Sequence, residues 1–271
     1  MPPLVKKLIA VAVLIILVNI GFVKYGQASF NATFEQLAKA FSENNATLPR
    51  RAALPEPIQT YIDRSGAAKH PYKTVVLQFE GEYYKKPGGK PYAMHTLALL
   101  RPTPDMLWAV RMESAVVTFN ALETYHNGRS KMKISLFGLI PTGQFDSPLF
   151  TRSELTHILA FAVFNPELFR CRCIDYKTVD SRHVEATIHD NNLSASALFT
   201  FNDAGDIVRV ESSDRTRPVK GEAVRTDWRL SIGVYQTFGT LRLPATMEES
   251  WIIDSKPFNF MHYKLTGART L

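Results

Sequence analysis

Along most of the chain apolar and polar residues alternate one by one. In VVLQFEGEYY, Val75, Leu77, Phe79 and Tyr83 fall on one parity and Gln78, Glu80 and Glu82 on the other, the period of a half-buried strand. YAMHTLALL and MLWAVRM predict further strands. TFNALETYHNGRSKMKISLFG predicts a hairpin with Asn127-Gly128 at its tip. The same rhythm returns in YKTVDSRHVEATIHD, SASALFTFNDAGDIVRVES, DWRLSIGVYQTFGTLRLPATMEESWII and FNFMHYKLT, with turns at NDAGD and TFGT. About ten strands are expected, nearly all joined by short turns.

The exceptions are helical. SFNATFEQLAKAFSEN spaces Phe30, Phe34, Leu37 and Phe41 as one face of an amphipathic helix, which packs on the domain or lies on a membrane surface. EPIQTYIDRSG predicts a short helix with Pro57 near its start, Ile58, Tyr61 and Ile62 on one side and Gly66 beyond its end. In the middle of the chain, TRSELTHILAFAVFNPELF predicts a helix over Thr151–Phe164, opened by a Thr151/Glu154 capping box and stopped at Asn165-Pro166. It has little polar face and must be largely enclosed. A long antiparallel sheet has to hide its apolar face, and curling around this helix does so. The expected fold class is therefore α+β: an open half-barrel of antiparallel strands wrapped over helices.

The amino-terminal segment adds a membrane question. Lys6 and Lys7 precede an uncharged apolar run from Leu8 to Val23, closed by Lys24 and Tyr25. Sixteen helical residues rise about 24 Å, against a hydrocarbon core of about 30 Å. Snorkelling lysines and Tyr25 could supply the remainder. The alternative is a signal peptide cleaved after Ala28. The expected division is an anchor or signal peptide over 1–28, an amphipathic helix and linker over 29–53, and a β-rich domain over 54–271. Retention of residues 8–23 would make a single-pass inner-membrane protein with its soluble domain on the periplasmic side.

Composition narrows function mainly by exclusion. The net charge is +7, but Lys and Arg are scattered through strand-like segments and no nucleic-acid-binding motif is present. DRTRPVKGEAVRTDWR gathers Arg215, Arg217, Lys220, Arg225 and Arg229, which a solvated loop explains better than contact with anionic headgroups or a partner protein does. The two cysteines, Cys171 and Cys173, share a strand face at a spacing that strains a mutual disulfide; free thiols are expected. In RHVEATIHD, His183, Glu185 and His189 share a face, but the two imidazoles stand about 20 Å apart on a straight strand, too far to share a metal ion. There is no nucleophile elbow and no phosphate-binding glycine loop. Glu248 and Glu249 point to opposite faces of a strand. No catalytic group, metal or cofactor is expected.

The ordered segments LPEPIQTYI, YHNGRSKMKISLFGLIPT, SELTHILAFAVFNPELF, VEATIHD, FTFNDAGDIVRVES, DWRLSIGVY and LRLPATMEESW resemble a bacterial family known mainly as a domain of unknown function. The architecture resembles the lipoprotein carriers of the LolA and LolB type, a curved sheet over helices that shield an apolar cavity. That resemblance implies a non-enzymatic domain that binds a lipid or other apolar molecule. Its cavity would draw on Phe79, Leu97, Trp108, Met112, Met132, Ile134, Leu159, Phe161 and Trp228. The alternatives are an interaction or assembly protein of a membrane complex, with a protein partner and no cavity, and a hydrolase with an unrecognised site.

Overall fold

The computed structural model describes residues 2–43, 49–219 and 222–271. Helix α1 (Pro3–Glu43) leads to α2 (Glu56–Ser65) and then to a run of strands: β1 (Val75–Tyr83), β2 (Tyr92–Leu100), β3 (Met106–Glu113), β4 (Thr118–His126), β5 (Arg129–Leu136) and β6 (Ile140–Phe145). Helix α3 (Pro148–Ala160) follows, continued by 3-10 turns at Phe161–Val163 and Pro166–Arg170. Beyond it come β7 (Ile174–Thr178), β8 (His183–Asp190), β9 (Leu193–Phe201), β10 (Ile207–Ser212), β11 (Thr216–Val219) and β12 (Glu222–Arg225). The chain ends with β13 (Trp228–Ile232), β14 (Tyr235–Phe238), β15 (Leu241–Pro244), β16 (Thr246–Ile253) and β17 (Lys256–Thr270).

Thirteen strands make one antiparallel sheet in the order β6-β5-β4-β3-β2-β1-β17-β16-β13-β10-β9-β8-β7, and β11–β12 and β14–β15 form two small ribbons. The count exceeds the expected ten for local reasons. YKTVDSRHVEATIHD is two strands broken around Asp180, and Pro141 and Gly143 concealed β6. As an edge strand β6 tolerates both residues. Asn127-Gly128 is the hairpin tip expected, with both residues at positive φ (50° and 69°).

The sheet consists of two meanders joined at its centre, where the first strand pairs with the last (β1–β17). The chain leaves one outer edge at β6 and resumes at the other, β7, so α3 is the connection between the two edges. The sheet curls until the tips of its outer hairpins touch, the Gly128 N–H donating to Asp190 Oδ2 at 2.7 Å. α3 lies in the hollow, with Leu155, Ile158, Leu159, Phe161 and Phe164 fully or almost fully buried. Its start differs from the expectation. The cap is Ser147, four residues before Thr151, and it accepts from Phe150 N at 3.2 Å. Thr151 instead returns its hydroxyl to the Ser147 carbonyl, and Glu154 is turned into the interior.

α1 is one continuous helix across the expected boundary at residue 28. Its second half packs on the convex face. Phe34, with Phe30, Leu37, Ala38 and Phe41, covers Val76, Leu99, Leu107 and Ala109, and the Arg101 guanidinium stacks on Phe41 at 4.2 Å. The first half corrects the membrane expectation. Among the described residues no helix is long and apolar enough to cross a membrane, which overturns the single-pass inner-membrane placement. The uncharged run stops at Lys24, and the rest of the helix carries the polar residues of an amphipathic element. Cys171 and Cys173 are joined in a disulfide, so the expectation of free thiols is also corrected. The pair lies where the chain turns from the 3-10 segment into β7, outside regular strand geometry. Lys220 of the basic loop lies outside the described residues.

Candidate functional site

The concave interior has an apolar half and a charged half, both built around α3. In the apolar half Phe79 of β1 stacks on Trp108 of β3 at 5.9 Å and meets Phe164 edge-on at 5.3 Å. Phe161 stands edge-on to Trp108 at 5.0 Å. Leu159 and Trp228 belong to the same buried cluster, with Met112 and Ile134 packed at its margin. Met132 is half-buried on β5, opposite Glu123 on one side and Phe145 on the other. Leu97 is separated from the rest. It pairs with Gln78 rather than Phe79 and faces the convex side, under α1. Six of the nine residues named from the sequence thus share the concave face of the sheet, Leu159 and Phe161 stand on the plug, and the two sets pack on one another.

The charged half is fully enclosed. Glu154 and His157 reach inward from α3, Glu123 from β4, Glu249 from β16, and Arg215 from the segment before β11. Arg215 Nη1 donates to Glu154 Oε1 at 2.8 Å and to the Ser153 carbonyl at 3.0 Å. The Thr216 N–H donates to Ser153 Oγ at 3.0 Å. His157 stands between two carboxylates, Nδ1 at 3.4 Å from Glu154 Oε2 and Nε2 at 3.8 Å from Glu249 Oε1. Neither contact has hydrogen-bond geometry, and Glu249 Oε1 and Arg215 Nε are likewise without a hydrogen bond. Trp228 is the floor. Its Nε1 donates to Glu249 Oε2 at 3.0 Å, and the Arg215 guanidinium lies 5.5 Å over its ring. Ser130 donates to Glu123 Oε1 at 3.0 Å.

Mutual proximity sets the protonation states. Burial alone would raise the Glu154 carboxyl, but Arg215 and then His157 bring it down to about 2. Glu249 is likewise raised by burial but lowered on balance, chiefly by His157. For His157, burial and Arg215 act to lower it, and the facing Glu154 and Glu249 outweigh them, so the imidazolium is favoured. Glu123 goes the other way. Burial, then the Glu154 charge, push it well above the carboxylate range, leaving it protonated. Two anions therefore face two cations in an environment too dry to leave any of them alone.

None of these five groups was singled out as a site from the sequence. A signal for two of them was present. Glu123 falls on the parity of Phe119, Ala121 and Tyr125, and Glu249 on that of Met247 and Trp251, so each is a carboxylate on the apolar side of its strand. His183, Glu185 and His189 sit on the outer side of β8, with Val184, Ala186 and Ile188 buried behind them. Among the described residues no group of three or more His, Cys, Asp or Glu side chains is arranged to hold a metal ion.

Several solved structures align loosely with the chain. A domain described as an outer membrane lipoprotein-sorting protein from Vibrio parahaemolyticus aligns over 79% of this chain and 91% of its own, at 13% identity and a TM-score of 0.47. A DUF1329 family protein from Desulfovibrio piger covers the same shares at 11% identity and 0.44. A LolA superfamily protein from Nitrosomonas europaea covers 79% and 93% at 10% identity and 0.42. No curated protein matches the chain. A family model does, over residues 45–263, and the chain accordingly belongs to the family of unknown function DUF6544.

Proposed function

We propose that the domain binds a lipid or similar apolar molecule, without transforming it, in the concave interior that α3 now fills. The observation that carries this reading is the seat of α3. A helix linking the two sheet edges lies inside the hollow, against an aromatic wall of Phe79, Trp108 and Tyr263, and its charges are matched by Glu249 of β16 and by Arg215. Displacing it would expose an apolar surface already shaped around a guest. Each methylene moved from water into that hollow contributes roughly 0.8 kcal/mol, so an acyl chain of about a dozen carbons has ample driving force before ordering costs.

The test is native mass spectrometry of the full-length protein, as purified and after incubation with mixed phospholipid vesicles, followed by lipid extraction. The expected outcome is a stoichiometric, chemically intact lipid. Bare mass under both conditions would overturn the reading.

One observation favours a second reading, an assembly role with α3 as plain core. Leu14, Leu17, Val18 and Ile20 stand exposed on the first half of α1, an apolar surface of the kind that partners cover. Lipid-free protein that co-purifies stoichiometrically with another protein would support it.

A further inference from the structure

We infer that the wall facing α3 in the charged half, Arg215 and Glu249 around the Trp228 indole, is a receptor for a zwitterionic headgroup, which Glu154 and His157 of α3 occupy in the closed state. The inference rests on the binding function proposed above and adds the chemical class of the ligand. α3 carries an anion and a cation one helical turn apart. Glu154 meets Arg215 at 2.8 Å, and His157 meets Glu249 at 3.8 Å. Glu249, on β16, and Arg215, on the segment between β10 and β11, are not part of α3, and the Glu249 and Arg215 side chains are 1% and 9% exposed. An arriving molecule must return a negative group to Arg215 and a positive group to Glu249, or leave a buried charge unpaired.

The fit of the plug is incomplete in a way that matters to this assignment. Both His157 nitrogens, Glu249 Oε1 and Arg215 Nε lack a hydrogen-bond partner, and all three residues are more than nine-tenths buried. Arg215 and Glu249 thus keep capacity that α3 does not use: a phosphate can accept from Arg215 Nε, and a quaternary ammonium can face the Glu249 carboxylate as an ion pair. Trp228 already touches both receptors, through its ring to Arg215 and its Nε1 to Glu249. Its indole face also suits a quaternary ammonium. Glu123 and Ser130 border the same space from β4 and β5, and Tyr263 borders it from β17. The aromatic wall of Phe79 and Trp108 continues from this point and accepts the tail.

The experiment is calorimetric titration of the full-length protein with four amphiphiles of one chain length, below their micelle concentrations: dodecylphosphocholine, dodecyl phosphate, dodecyltrimethylammonium and dodecyl maltoside. Dodecylphosphocholine is expected to bind roughly tenfold or more tighter than the others, because it alone returns an opposite charge to both Arg215 and Glu249. Glu249→Gln is expected to shift the preference toward dodecyl phosphate. The headgroup series on the unaltered protein decides the matter even if that variant fails to fold. Equal affinities across the four, or dodecyl phosphate matching dodecylphosphocholine, would overturn the zwitterion assignment and leave the binding function standing. No binding of any of them would remove both.

Discussion

Replacing Arg215 with Met tests whether α3 is seated by charge. The substitution removes the guanidinium bonded to Glu154 Oε1 at 2.8 Å and to the Ser153 carbonyl at 3.0 Å. Two carboxylates then share a single imidazolium. Breaking a buried pair from one side costs about 3–5 kcal/mol, and side chains 9% and 6% exposed lose little of that to solvent screening. In a domain of this size each kcal/mol moves Tm by about 2–4 °C, so a fall of roughly 6–20 °C is expected. Glu154→Gln, which leaves two cations facing one carboxylate, should cost a comparable amount. The double variant retains only His157 and Glu249 as a balanced pair. It should be more stable than the sum of the single effects predicts, by about 1–3 kcal/mol. The assay is urea unfolding of the four proteins followed by circular dichroism. Additivity within about 0.5 kcal/mol would show that these groups do not sense one another and would refute the ionic description of the seat.

Four further outcomes follow from particular contacts. His157 is raised by Glu154 and Glu249, so its contribution to stability is complete below its unfolded value of about 6.5 and is lost as pH rises through the folded value. Glu154 and Glu249 are lowered, so theirs is present above about 4.5 and lost on acidification. Thermal melts across a pH series should therefore show greatest stability between these limits, and His157→Gln should flatten the alkaline decline; an unchanged decline counts against the pairing. Oxidised protein should be two hydrogens lighter by intact mass than after reduction, with no titratable thiol when denatured, because Cys171 and Cys173 are joined. Gly81→Ala would put a methyl carbon 1.8 Å from the His262 carbonyl oxygen, forcing β1 from β17 at about 1–3 kcal/mol in denaturant titration; no cost would mean the strands are not so close. Phe34→Asp should release the second half of α1 from the convex face and speed proteolysis between residues 30 and 43 roughly tenfold or more, since burying such a ring contributes about 1.5–3 kcal/mol.

The fold was legible wherever one periodicity ran long enough to dominate. Strands such as β1 and β8 bury alternate residues as their sequences require, and Ile58, Tyr61 and Ile62 of α2 are buried, with Gly66 in the left-handed cap. β6 was not legible, because Pro141 and Gly143 are strand breakers in the middle of a sheet and harmless at its edge. The start of α3 was misread because Ser147-Pro148 and Thr151/Glu154 both satisfy a capping pattern, and tertiary contacts chose between them. Of the nine residues named as cavity lining, six lie on the concave face of the sheet and two, Leu159 and Phe161, on the plug. Leu97 lies on neither, because β2 is apolar on both faces once α1 covers its outer side. The charged half escaped entirely. Glu123 and Glu249 break the apolar parity of their strands, but their partners are ordinary in their own segments, and only the curl of the sheet brings β4, α3, β16 and the Arg215 segment together.

That composition bears on how α3 could leave. Its far end is held by apolar burial and by neutral bonds, with Phe161 and Phe164 against the aromatic wall, Tyr61 donating to the Val163 carbonyl at 2.6 Å and Tyr72 to Asn165 Oδ1 at 2.9 Å. Exposing apolar surface there costs about 25 cal/mol per Å² with nothing regained from water. At the near end the side chains to be exposed include Glu154 and His157. Rehydration returns much of the free energy that their burial cost, and a well-packed apolar substitute would often hold the helix as firmly or more so. On the proposed binding function, opening would start at the charged end and pivot at Asn165-Pro166. A charged seat suits a contact that has to be given up: charges can be matched in turn by the plug, by water or by a ligand, and a purely apolar seat can be matched only by staying shut.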